Sequence, residues 1–138
     1  MSARAGLAAL LLAAWAPPAV AAAHSPAHLD YLLQCQGCHL ADGRGAPEKG
    51  VPALRGSVAR FLTVEGGRAY LIRVPGASGS PLSDAELAAV LNWIVQTFGP
   101  AEAARAAAPF TEQEVRRFRR PPLDDVAPVR NRLLDKIR

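Results

Sequence analysis

The sequence predicts an all-α fold, and three observations carry that prediction. The first is the apolar series Leu87, Val90, Leu91, Ile94, Val95 and Phe98, spaced as one helix face and opened by the capping box Ser83-x-x-Glu86. The second is a pair of further helix starts. Ser25-Pro26 places an N-cap before a proline at the first helical position, and Thr111-x-x-Glu114 is another capping box. The third is that no strand–helix–strand pattern is visible. A chain of 138 residues suits one domain with short extensions.

The elements follow in order. Arg4 gives a positive start, residues 5–15 are apolar but too short to span a bilayer comfortably, and Pro17-Pro18 breaks them. Ala21 and Ala23 then form an A-x-A cleavage pattern. Residues 1–23 are therefore expected to be a signal peptide, giving an exported protein, periplasmic in a bacterium, with its mature N-terminus at His24. Residues 24–100 are the expected main domain and 101–138 a linker and basic tail. No other segment is apolar enough for a stable membrane span.

The first helix should run from Ser25-Pro26 through Leu29, Leu32 and Leu33 into Cys35. Residues 41–54 hold three glycines and two prolines and read as loop. Residues 56–62 make a short helix, 65–67 a turn, and 69–74 another helical turn or two. Residues 75–81, rich in Gly and Ser, are expected to be a flexible connection. The helix after Ser83 ends at Gly99-Pro100. Residues 101–109 are an alanine-rich linker, with a part-helical form as the alternative. Pro121-Pro122 breaks the helix begun at Thr111, and a last helix covers 126–137, with Asp124 or Asp125 near its start.

Half of the chain is apolar but only 6% is aromatic, so a small domain is short of large core side chains. A bound macrocycle would supply the missing apolar volume. Charge is uneven: residues 24–110 carry seven basic and seven acidic side chains, while 111–138 carry eight and five. An exported protein rarely meets nucleic acid, so this excess fits either a solvated helix pair or a docking face for an acidic partner.

The two cysteines are three residues apart and would close no useful loop as a structural disulfide. They belong to Cys35-Gln36-Gly37-Cys38-His39, the C-x-x-C-H pattern of covalent haem attachment. Two thiols about one helical turn apart can each add to a vinyl group on one porphyrin edge. The next residue is then held beneath the ring, where its imidazole reaches the iron. A dithiol redox pair would be expected after a strand in a βαβ unit. A zinc site needs four ligands and this cluster offers three. Both fit less well.

Over residues 24–98 the sequence resembles the small class I c-type cytochromes. A helix runs into CxxCH, a glycine-rich loop follows, Val51-Pro52-Ala53-Leu54 resembles the family's G-P-x-L segment, and Leu91-Asn92-Trp93-Ile94 resembles its last helix. The resemblance implies a helical domain around one haem c, bound by Cys35, Cys38 and His39, the last as proximal iron ligand. The Pro52 carbonyl is expected to accept the imidazole Nδ1–H. Trp93 is expected at the crossing of the first and last family helices or near the haem edge.

The chain departs from the family at the second axial ligand, usually a methionine. The one methionine is Met1, and the ligand should fall near Ala77 to Gly79, where no side chain binds iron. His24, His28 and Lys49 are the other candidates in this chain, a ligand from a partner chain is a further alternative, an open or water-bound site is the favoured one, and the distal ligand stays unknown. Arg73 is a candidate for a bound oxyanion or a haem propionate, or a surface residue.

The expected function is single-electron transfer between redox partners, such as a periplasmic dehydrogenase or oxidase, without enzymatic activity. The alternatives are an open-site haem ligand binder or sensor, and a haem subunit of a larger oxidoreductase. Arg116, Arg117, Arg119 and Arg120 are expected on the basic outer face of the tail, with its apolar side packed on the domain.

Overall fold

The computed structural model describes residues 25–137. The expected signal peptide and His24 lie outside the described residues. Within them are eight α-helices, two short 3-10 segments and no strand beyond one isolated bridge, Ala46 to Val51.

Helix α1 (Pro26–Gln34) begins as its cap predicts, with the Ser25 hydroxyl accepting from His28 N at 3.2 Å. Its inward stripe is narrow. Tyr31 is fully buried and Ala27, Leu32 and Cys35 pack beside it. Leu29 and Leu33 lie one turn apart on the other face and are 47% and 76% exposed, so the helix has an apolar outer side that periodicity assigns to the core. The Tyr31 hydroxyl donates to Leu40 O at 2.6 Å. Leu40 has φ +65°, a left-handed conformation costing a branched residue about 1–2 kcal/mol. The Tyr31 bond secures that turn immediately after the C-x-x-C-H motif.

Helix α5 (Asp84–Phe98) is the spine of the domain. Both halves of its capping box form, Glu86 N to Ser83 Oγ at 3.2 Å and Ser83 N to Glu86 Oε2 at 2.7 Å. The face read from its spacing is the buried one: Leu87, Val90, Leu91, Ile94, Val95 and Phe98. Trp93 packs where α5 meets α1. Its ring stacks on His28 at 4.7 Å and meets Tyr31 at 4.9 Å and Phe98 at 5.4 Å, a cluster that fixes the crossing.

The remaining helices close the domain. Helices α2 (Gln36–His39), α3 (Gly67–Arg73) and α4 (Pro75–Ser78) line one side. Helices α6 (Ala101–Ala106), α7 (Glu112–Phe118) and α8 (Val126–Ile137) fold back over it, burying Phe110, Val115, Leu123 and Leu133. The Thr111 hydroxyl caps α7 by accepting from Glu114 N at 3.1 Å. Glu114 itself is claimed by Arg68, whose Nε and Nη2 donate to its two oxygens at 2.6 Å each. Arg68 also lies 4.1 Å over the Phe110 ring. Asp125 caps α8 through Ala127 N at 3.2 Å.

Two expectations are corrected here. Residues 75–81 are not a loose connection, and Arg119 is not on the outer face. Arg119 is only 8% exposed. Its guanidinium donates to Ser78 O at 3.1 Å, Ser80 O at 2.6 Å, Leu82 O at 2.7 Å and Asp84 Oδ1 at 3.1 Å. A planar five-donor cation can hold several carbonyls of one turn at once, which orders a segment that small residues alone leave free. Arg116, exposed, pairs with Glu112 and Asp84, and Arg120 is exposed.

Truncating Arg119 deletes a buried charged donor set and leaves three carbonyls without it. Arg119→Ala is expected to lower the unfolding free energy by about 3 kcal/mol. Arg120→Ala, at an exposed site, should change it by less than about 0.5 kcal/mol. Urea unfolding of the two variants checks the contrast, and equal values would show that Arg119 holds nothing.

Candidate haem-binding site

The site is built where α1 gives way to α2. Cys35 closes α1, its N–H donating to Tyr31 O at 2.9 Å, and its carbonyl then accepts from His39 N at 2.9 Å to start the next turn. Cys35 and Cys38 are thus one turn apart, with His39 following. Both thiols are free, Cys35 partly buried and Cys38 exposed.

A cavity of about 340 Å³ opens beside this turn. Cys35, Cys38, His39 and residues 50–54 form one part of its wall. Leu71, Val74, Leu87 and Leu91 form an apolar part. The tail contributes as well, since α8 brings Val126 and Arg130 to the cavity.

His39 Nδ1 lies 3.2 Å from Pro52 O. A carbonyl only accepts, so Nδ1 carries the hydrogen and Nε2 keeps its lone pair. Burial lowers the His39 pKa, against the opposing pull of the Pro52 bond, and so favours the neutral imidazole a metal needs. The loop bearing the Pro52 carbonyl is held close by Gly45, whose N–H donates to His39 O at 3.0 Å. Gly45 has φ +63°, and a Cβ there would meet Pro52 O at 2.6 Å and Val51 O at 2.7 Å. Only glycine lets the loop pass so close to the carbonyl that orients His39.

The Cys35 thiol is not activated as a redox nucleophile. Burial, then Asp30 and Cys38, push the Cys35 thiol up to about 11, whereas reactive pairs are shifted down. Among the described residues no three His, Cys, Asp or Glu side chains gather as a metal-ion set. An apolar cavity edged by two thiols and one neutral imidazole fits a porphyrin better than either alternative.

Of the other candidates, His24 lies outside the described residues, and His28 and Lys49 do not line the cavity. His28 is stacked on Trp93, and Lys49 is exposed on a 3-10 turn. Arg73 Nε donates to Pro121 O at 2.9 Å, so it ties down the tail and is not placed against a bound group. Gly76 and Ala77 do line the cavity. Sequence reading missed Tyr70 and Arg130, which also line the cavity. Arg130 lies on a tail whose return over the domain is a tertiary event with no local signal.

No family model matches the chain. It is 39% identical over 104 residues to cytochrome c-552 of Thermus thermophilus, a match that covers 62% of this chain and 79% of that protein. A second cytochrome c-552, from a named strain of the same species, is also 39% identical, across 62% of this chain and 70% of the relative. With a helical fold wrapped around a cavity of this chemistry, the chain belongs to the cytochrome c-552 family, monohaem c-type cytochromes that carry covalent haem c and pass single electrons without being enzymes.

Proposed function

We propose that the haem is attached through Cys35 and Cys38 and that His39 Nε2 supplies an axial ligand, oriented by the Nδ1–H bond to Pro52. The observation that carries this reading is the 3.2 Å contact between His39 Nδ1 and Pro52 O at the wall of the cavity. When bound, the haem supplies a one-electron Fe(III)/Fe(II) couple. The chain's own residues set its environment. Apolar side chains from α3 and α5 line the cavity and would keep water from the bound group there.

The haem's propionates need polar partners. Arg130 and Tyr70 are suited to that task. Both line the cavity, and the positive field of Arg130 acts on Tyr70, opposing the larger upward push of burial on its phenol.

Residues 24–100 act as the haem domain and 101–138 as an extension covering it. Residues 1–23 act as an export signal, on the strength of Arg4, the short apolar run and the A-x-A pattern, and in a bacterium export means the periplasm. Its partners are redox proteins, a dehydrogenase or an oxidase, with exposed Arg117 and Arg120 available to an acidic docking face. No helix among the described residues is long and apolar enough to cross a membrane.

Haem extraction tests the attachment. Replacing Cys35 and Cys38 together by alanine should give a chain whose haem is removed by acidified butanone, while the wild type keeps its haem through denaturation. Retained haem in the double variant would refute thioether attachment. The Pro52 bond gives a second prediction. Gly45→Ala should displace the Pro52 carbonyl, cost about 2 kcal/mol of stability and raise the reduction potential, because a less strongly hydrogen-bonded imidazole donates less charge to Fe(III). An unchanged potential by redox titration would show that the carbonyl does not tune the ligand. Export gives a third: the intact mass of periplasmic protein should correspond to a chain starting at His24, and an N-terminus at Met1 would contradict cleavage.

A further inference from the structure

We infer that the sixth iron position stays open beneath the Pro75–Ser78 turn and takes a small neutral diatomic molecule, of the class of carbon monoxide or nitric oxide. The inference rests on the haem attachment proposed above and goes beyond it, since a closed electron carrier fills both axial positions with its own side chains.

The cavity wall decides the matter. Among the described residues that form it, His39 is the sole imidazole, and there is no methionine or lysine. The thiols are committed to attachment. What remains is neutral oxygen, which binds ferrous haem weakly. The Ser80 hydroxyl is occupied, donating to Ala77 O at 2.9 Å, and the Ser57 hydroxyl donates to Ala53 O at 2.6 Å. Burial keeps Tyr70 in its phenol form, and only a phenolate is a strong ligand.

The turn that should bear a ligand cannot bring one in. Its cavity-lining residues are Pro75, Gly76 and Ala77, none with a donor atom on its side chain. Its C-terminal end is also fixed, because Arg119 ties the Ser78 carbonyl to those of Ser80 and Leu82 just after the turn. The wall around it is apolar, with Val74, Leu82 and Leu87 contributing. Such a wall penalises an anion buried without a partner and admits a neutral ligand without penalty. Arg130 is the one cation among the described residues of the cavity wall, and it is the residue proposed above to pair with the propionates.

The test is a carbon monoxide titration of the full, haem-loaded, dithionite-reduced protein, followed by visible absorbance. The expected result is a five-coordinate high-spin ferrous spectrum that converts completely to a low-spin adduct with one CO per haem. In Ala77→Met, which places a thioether on this turn, the ferrous protein should be low-spin and the CO shift should be lost at the same concentration. A wild-type ferrous protein that is low-spin and indifferent to CO overturns the inference, whichever residue supplies the ligand, His24 included. A high-spin Ala77→Met protein with a CO shift identical to wild type overturns the placement of the open position beneath this turn. A chain without covalent haem overturns the attachment itself, and this inference with it.

Discussion

The hydrogen bond from His39 Nδ1 to the Pro52 carbonyl is the constraint around which the site is arranged. It selects the tautomer, leaves Nε2 bare and turns the imidazole toward the cavity. Several features of the chain exist in relation to it. Gly45 supplies the positive φ and the missing side chain that allow Pro52 to approach. Tyr31 anchors Leu40 directly after the motif, so the turn bearing His39 cannot unwind. Burial of Tyr31 and its neighbours Cys35 and Asp42 push its phenol up to about 12, so it remains a hydrogen-bond donor at any physiological pH.

The second organising contribution comes from the tail. The chain beyond α5 packs back on α5, α3 and the 3-10 segment Val58–Thr63. Here α7 and α8 fold back, and the returning chain delivers two arginines with separate tasks. Arg119 gathers the backbone carbonyls of a short glycine- and serine-rich segment and orders it. Arg130 reaches the cavity wall. The Arg68–Glu114 pair, bidentate and partly buried, fastens α7 to α3. Here a positive tail is mainly a structural device, and the charge left over on its outer face is smaller than the residue count implies.

What was legible in the sequence was what local rules or covalent chemistry dictate. The C-x-x-C-H pattern stands out because attachment through two thiols and a following imidazole would permit little variation in spacing. Helix α5 is legible because its cap and its apolar period agree. The placement of Pro52 followed from resemblance to a family. What local rules miss is set by distant partners. The segment at 75–81 has the composition of a flexible loop, and the arginine that orders it lies 41 residues away from Ser78. Glu114 has the position of a capping-box acid, yet Arg68, 46 residues off, takes both its oxygens. Leu29 and Leu33 look like core residues by type, but α1 packs mainly on α5 and a single stripe suffices.

A crystal structure of the haem-loaded protein tests the central claim most directly. The expected result is thioether bonds from Cys35 and Cys38 Sγ, His39 Nε2 bound to iron, and His39 Nδ1 still within hydrogen-bond distance of the Pro52 carbonyl. Free cysteines, or an iron whose protein ligand is any residue but His39, would contradict it.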